Sequence, residues 1–440
     1  MSLFRIDKSL LLMKMNYFFG IGGFSPYMPF LTTIARQRGY SAFVVGFMNM
    51  LQPIPGLVAR PIIGALTDRY KCRRAVFITS IVLIFSLMCM LWVIPGKTSD
   101  IELNDLDVIK SPLFWWFSGT ISLINALAMV KTVLEDTICV NLLGDQKNEY
   151  GKQRLWGSVG WSFFAIVSGV CVDWYSEGQH LKNYDPAFFI SLLCFAIDMI
   201  LVIQENDNTV MNSNVSKIFA EGKVIAFLLW VIMFGFFMSF VWNFVFWYLE
   251  DLSDQYHPET KSQMKTLQGL SLIVQCFAGE VPSFFLSNYV LKRVNQMTVF
   301  SLMFLMFTVG FSTYSFVRNP LWTLPIEIIN GASFGMTFSA GISYATMLAP
   351  IGAEGFFQSM FSTAMYGVGA PVGSLTGGFM FKNLGSINSF RLLGLIAFVM
   401  FVSQTTVNYI LNRLNGNEDT KDTYTVVAIE ENAEKVTISA

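Results

Sequence analysis

The ionisable side chains of this chain fall where its sequence is otherwise most apolar. Lys14, Arg60, Lys131, Glu135, Asp136, Asp198, Glu280 and Glu327 each interrupt a long hydrophobic run. In Lys131-Thr132-Val133-Leu134-Glu135-Asp136, the first and fifth residues stand four apart, which on a helix places them on one face within ion-pairing reach. Asp136 is turned about 100° from Glu135, so the two carboxylates cannot look the same way. One is then neutralised by Lys131 while the other faces a cavity. A purely structural ion pair is the competing reading for both.

A second group follows. Arg154, Ser158 and Trp161 are spaced i, i+4 and i+7 and share one helical stripe. Arg offers a planar fork to oxygens, Ser a hydroxyl and Trp a face for stacking, a set suited to a polar solute with an apolar side. The alternative is an interfacial Arg reaching for water with Trp as a belt residue. Later in the chain, Glu280 lies in Ala278-Gly279-Glu280-Val281-Pro282. Proline removes a backbone donor and disrupts the helix before it. A carboxyl beside such a break suits a proton carrier. Glu327, Asn330, Phe334 and Phe338 form one stripe, and Ser239, Asn243, Trp247 and Glu250 another. Glu327 and Glu250 have a location near a membrane interface as their alternative.

The elements that must hold these residues are long and apolar. Of 440 residues 53% are hydrophobic and 13% charged, with a mean hydropathy of +0.52. A soluble domain carries about 25% charged residues, so this chain has too few to cover a surface in water. The net charge of -1 provides no basic face for nucleic acid. A spanning helix needs roughly 20 apolar residues. Such runs occur at 10–35, 43–67, 75–95, 112–143, 156–175 and 187–205, and again at 223–249, 264–290, 297–317, 322–349, 356–382 and 390–412. The pattern predicts an all-α membrane protein of twelve transmembrane helices in two six-helix bundles. The first bundle covers 1–205 and the second 223–412. A polar cytoplasmic linker occupies 206–222, and an acidic, disordered tail 413–440. Left facing lipid, the eight interrupting charges would cost on the order of 20 kcal/mol, more than most proteins' net stability. They must therefore face a wet cavity, pair, or lie near an interface.

Lys and Arg favour the loops on the side of the termini, sixteen against ten, which predicts both termini in the cytoplasm. Gly369, Gly373 and Gly377 recur every four residues and predict a close packing seam; a hinge is the sharper alternative. The six cysteines form no CxxC pair, and five lie in apolar runs, so neither metal nor redox chemistry is expected. Only two histidines occur, His180 and His257, both in loops. With no nucleophile–base pair or phosphate loop, neither an enzyme nor a bound cofactor is expected.

These residues resemble the major facilitator superfamily. Pro61-Ile62-Ile63-Gly64-Ala65-Leu66-Thr67-Asp68-Arg69, followed by Arg73-Arg74, is similar to the family's signature between the second and third helices, with Cys72 where the family usually carries Gly. The resemblance implies that Asp68, Arg69, Arg73 and Arg74 gate the cytoplasmic side. The stretch from Asp136 through Tyr150-Gly151-Lys152-Gln153-Arg154 to Trp161 resembles the lactose permease group. There an acid on the fourth helix and an Arg on the fifth bind sugar, and a Trp stacks on it, so Asp136, Arg154 and Trp161 are implied as substrate contacts. Glu280-Val281-Pro282-Ser283-Phe284-Phe285 and Asn330-Gly331-Ala332-Ser333-Phe334-Gly335 resemble phenylpropionate and nucleoside permease relatives, which often carry His where Asn330 stands. Over about residues 10–412 the chain also resembles the animal group of major facilitator domain-containing protein 6.

The expectation is a secondary transporter of a small polar organic solute working by alternating access, with proton symport. Substrate contacts are expected from Asp136, Arg154, Ser158, Trp161, Asn243 and Asn330, and proton carriage from Glu280, Glu135 and Glu327. A monomer is expected in the plasma membrane, with an endolysosomal membrane as the alternative. A transporter-shaped receptor or scaffold, signalling through the acidic tail, is the second reading.

Overall fold

The computed structural model describes residues 8–70, 72–94, 103–143, 150–179, 181–203, 222–348 and 354–409. Among them the chain is helical, and the helices order into twelve spans. Nine are long and apolar enough to cross a membrane by length and composition. The others are the first, which is broken, and the tenth and eleventh, which are rich in Gly, Ser and Thr. The expected linker, apart from Gly222, and the acidic tail lie outside the described residues.

The first span runs as Lys8–Gly22 and resumes as Leu31–Gln37, where the sequence predicted one continuous run. Gly20-Ile21-Gly22-Gly23, Pro26 and Pro29 account for the break: glycine resists helix and proline cannot donate within it. Hydroxyls take up the carbonyls released between the two pieces. Ser25 Oγ donates to Gly22 O at 2.9 Å, Ser191 Oγ to Gly23 O at 2.5 Å, and Ser168 Oγ to Pro26 O at 2.8 Å. At bilayer depth such repair makes irregular backbone tolerable.

The second span is Ala42–Leu51 continued by Ile54–Tyr70, interrupted at Gln52-Pro53. The third is Arg73–Val93, the fourth Pro112–Leu143, the fifth Tyr150–Tyr175 and the sixth Asp185–Ile203. The seventh is Gly222–Tyr256. The eighth comprises Met264–Ile273, a π-helical turn Val274–Glu280, and Val281–Leu291. The ninth is Gln296–Phe316 and the tenth Leu324–Leu348. The eleventh comprises Glu354–Ser362, a π-helical turn Thr363–Gly369, and Ala370–Leu384, and the twelfth is Ser386–Tyr409. Both π-helical turns end just before a proline, Pro282 and Pro371. Each proline deprives the carbonyl four residues earlier of its usual donor, and the ladder widens to absorb the defect.

The two six-helix halves meet along two seams, the second span against the eleventh and the fifth against the eighth. Glycine sets both. A Cβ on Gly46 would lie 2.9 Å from Gly378 Cα, and one on Gly269 would lie 2.7 Å from Ile166 Cα. Gly369, Gly373 and Gly377 face the seventh span instead: at Gly377 a Cβ would meet the Phe244 ring at 2.5 Å. This is the packing seam that their spacing predicts.

Ion pairs tie the halves together at the end of the bundle remote from residues 8 and 409, here called the distal end. Arg36 reaches Asp251 at 2.8 Å, Glu250 at 3.5 Å and Asp254 at 3.6 Å, and lies 4.8 Å above the Trp247 ring. Lys382 pairs with Asp105. Asp173 accepts from Thr266 N at 2.6 Å and Oγ1 at 2.8 Å, and Lys182 donates to Ser262 O at 2.7 Å. Each of these contacts joins one half to the other.

Candidate functional site

A cavity with ≈ 680 Å³ of empty space, its open mouth included, lies between the first, fourth and fifth spans. Tyr27, Asn125, Lys131, Glu135, Arg154 and Trp161 are among the residues lining it. The sequence stripes explain the convergence. Lys131 and Glu135 are one turn apart on the fourth span, and Arg154 and Trp161 two turns apart on the fifth. The broken first span closes the third side. Gly157 and Gly160 let it approach: a Cβ on Gly157 would touch the Ile21 side chain at 2.5 Å, and one on Gly160 would lie 2.9 Å from the Phe18 carbonyl carbon.

The fourth-span charges divide as their 100° offset requires. Glu135 turns to Lys131, with Nζ–Oε2 at 3.1 Å. Asp136 turns to the first and fifth spans. It accepts from Tyr17 Oη at 2.8 Å and lies 3.8 Å from Arg154 Nη1. The Arg154 guanidinium carbon sits 5.5 Å from the Tyr17 ring centre. The Arg154 and Asp136 side chains are 39% and 32% exposed, so this pair is accessible, whereas Lys131 and Glu135 are 1% and 0% exposed. An accessible fork beside a carboxylate and a Trp face can bind a solute bearing both donors and acceptors.

The remaining expected site residues lie elsewhere. Ser158 is half-buried on the fifth–eighth seam, and its carbonyl accepts from Cys276 Sγ at 3.5 Å. Asn243 donates to Ser374 Oγ at 3.0 Å, joining the seventh and eleventh spans. Asn330 donates to Tyr314 Oη at 2.8 Å and to Glu327 at 3.0 Å, and Tyr314 donates to Glu327 at 2.6 Å. Glu327 is therefore inside a closed hydrogen-bonded set between the ninth and tenth spans. Glu280 ends the π-helical turn of the eighth span, half-buried, where Gly331 and Gly335 bring the tenth span close. None of these five lines the cavity described above. The side chains of Asp68, Arg69 and Arg73 lie outside the described residues; Arg74 is exposed.

Two participants have partners that sequence reasoning did not supply. Asp198 of the sixth span, fully buried, lies 3.2 Å from Lys131 Nζ. Its signal was a lone Asp in Phe195-Ala196-Ile197-Asp198-Met199-Ile200-Leu201, since an intramembrane acid requires a partner. Tyr17 gave no such signal, because a Tyr in an apolar run also suits a core.

Comparison with known proteins agrees with this architecture. The model of the MFS_1 like family matches residues 10–392. The chain belongs to the MFS_1 like family. Within it, 252 residues are 24% identical to major facilitator superfamily domain-containing protein 6-like protein B of Xenopus laevis, 54% of this chain and 38% of that protein. The chain thus spans about two fifths of that relative's length. The maltose permease of Geobacillus stearothermophilus is 21% identical over 374 residues, 83% of this chain and 86% of the permease. Among solved structures, a variant of the nucleoside transporter NupG superposes with a TM-score of 0.72 at 13% identity, covering 90% of this chain and 99% of the other. The inward open xylose transporter from E. coli gives 0.64 at 11% identity, covering 90% and 94%. These likenesses establish the fold: twelve transmembrane helices in two pseudo-symmetric six-helix bundles, a multi-pass membrane protein.

Proposed function

We propose that this member of the MFS_1 like family is a secondary transporter of a small polar organic solute, working by alternating access with proton symport. The observation that carries the reading is a one-sided arrangement of charge. Arg154 and Trp161 line an open cavity in the first half, with Asp136 beside Arg154, while ion pairs between the halves hold the distal end together. A midplane site that opens to one side while the other is closed is the arrangement that alternating access requires. The permease, nucleoside and xylose proteins to which the chain is similar support a solute of that size and polarity.

In this reading Arg154 grips solute oxygens, Asp136 accepts solute donors while Tyr17 fixes its direction, and Trp161 stacks on the apolar side. Ser158, Asn243 and Asn330 join when the halves rock and the seams rearrange. Glu280, Glu135 and Glu327 are the candidate proton carriers, Asp68, Arg69, Arg73 and Arg74 the cytoplasmic gate. The units are 1–205 and 223–412, joined by the linker 206–222. The protein acts as a monomer in the plasma membrane with both termini in the cytoplasm.

The test is flux into proteoliposomes of solutes drawn from a cell extract. Arg154→Ala is expected to abolish the accumulation seen with the unaltered protein, although it reconstitutes equally well. Equal accumulation by both would remove the site assignment. Glu280→Gln is expected to blunt the response to an imposed pH gradient, and a full response would take Glu280 out of the coupling path.

A further inference from the structure

We propose that Lys131, Glu135 and Asp198 form one proton-binding centre, taking up a single proton behind the cavity wall. This deepens the transporter reading by joining Lys131 and Asp198 to Glu135 as one site for the proton, and depends on that reading only for what the proton is coupled to.

The inference starts from a count of charge. Lys131 Nζ lies 3.1 Å from Glu135 Oε2 and 3.2 Å from Asp198 Oδ2. The three side chains are 1%, 0% and 0% exposed. One ammonium therefore faces two carboxylates, and almost none of their side-chain surface is open to solvent. Burial of an uncompensated charge is strongly unfavourable, and the group takes or loses a proton instead.

Among the described residues named around the centre, the one further cation is Arg154, which faces a third carboxylate, Asp136. From the third span the Phe77 ring centre lies 5.5 Å from Lys131 Nζ. The sixth span offers the Cys194 thiol, one turn before Asp198. On the first span Gly20 lies against the centre, and a Cβ there would meet both Asp198 oxygens at 3.1 Å. Tyr17, nearby on the same span, gives its hydroxyl to Asp136. The fifth span brings Arg154, which lies 3.8 Å from Asp136 and is itself partly exposed. Counting all five charged groups leaves three carboxylates against two cations.

A second observation is independent of the count. Oε1 of Glu135 and Oδ1 of Asp198 are buried and accept no hydrogen bond among the described residues, and the amide of Asn16, one turn along the first span from Gly20, is also buried and unpartnered. Buried polar atoms are nearly always paired. A proton on either carboxyl removes the surplus charge and supplies an O–H donor where donors are lacking. A metal ion fits less well: hard cations gather about six oxygens, and an ammonium already stands between these carboxylates. Lys131 and Glu135 also line the cavity, which gives the proton its route. Gly20 places the first span directly on the centre, so neutralising it changes what that span packs against.

The experiment needs no solute. Purified protein in lipid nanodiscs is titrated between acid and alkaline buffer and followed by infrared difference spectroscopy of the carboxyl carbonyl bands. The unaltered protein is expected to show a titrating carboxyl that is absent from Asp198→Asn and from Glu135→Gln, since each leaves a one-to-one ion pair. Glu280→Gln is expected to retain it, and exchanging potassium for sodium to leave its midpoint in place. The triple variant Lys131→Met/Glu135→Gln/Asp198→Asn leaves no buried charge at the centre, so it serves where a single variant does not fold; it too should lack the band. Persistence of the band in these variants, its loss in Glu280→Gln alone, or a sodium-dependent midpoint would each overturn the proposal. Because binding is read without transport, a failed flux assay with a normal titration would implicate the transport reading alone.

Discussion

Arg36 Nη2 and Asp251 Oδ1 lie 2.8 Å apart across the boundary between the two halves, one at the distal end of the first span and the other at that of the seventh. Glu250 and Asp254 stand within 3.6 Å of the same guanidinium, so one side chain neutralises much of an acidic patch. Partly exposed pairs contribute only about 0.2–1 kcal/mol each. Glu250 keeps Lys265 and Asp254 keeps Lys261 as partners, so removing Arg36 uncovers chiefly Asp251. Arg36→Ala is therefore expected to weaken distal closure several-fold without unfolding the protein. Thiol labelling of a Thr33→Cys reporter, buried at that end, should rise accordingly. Unchanged labelling would mean that Arg36 does not hold the distal end shut.

Backbone contact is the second component of that closure. Gly46 lies against Gly378 and the Ser374 carbonyl, and neither backbone can yield locally. Gly46→Val should hold the second and eleventh spans apart and expose the same Thr33→Cys reporter more than Arg36→Ala does. Labelling no greater than that of the unaltered protein would show that the seam does not depend on this approach.

Glu327 gives a prediction about stability. It accepts from both Tyr314 and Asn330 in a buried setting. Tyr314→Phe deletes the shorter bond and costs Asn330 an acceptor, about 1–3 kcal/mol by the usual penalty for orphaned buried groups. The melting temperature of the purified protein should fall by several degrees. A variant melting with the unaltered protein would leave this network without structural weight.

Arg154→Lys separates charge from shape. Lysine retains the positive charge but loses the planar fork. Uptake is expected to fall at least tenfold, with less effect from Ser158→Ala, whose residue lies on the seam. If the Lys variant transports normally, Arg154 acts as a charge and not as a bidentate clamp.

The tail separates transport from signalling. A chain ending at residue 412 should keep full uptake. Loss of uptake on truncation, with tolerance of Arg154→Ala, would favour the receptor reading.

Much of the fold was legible because a bilayer imposes a length and a composition. The broad limits of the spans, the glycine seam at Gly369, Gly373 and Gly377, and the Lys131–Glu135 pair all follow from spacing along a single helix. The gap in the first span was less legible: Pro26 and Pro29 signal it, yet the hydropathy of the run masks the signal. Contacts between helices were beyond reach. Nothing in the local sequence says that Asp198 meets Lys131, or that Tyr17 holds Asp136. Polar residues also proved ambiguous in isolation: the stripes bearing Asn243 and Asn330 suit a cavity, while the structure gives both side chains neighbouring partners on other groups.

The central claim is that Arg154 belongs to a solute-binding cavity. It is tested most directly by an untargeted comparison of metabolites in cells carrying the unaltered protein or Arg154→Ala at equal membrane abundance. At least one small polar solute is expected to change level severalfold with the unaltered protein and to return to the level of cells lacking it with the variant. Identical metabolite profiles for the two proteins would contradict it.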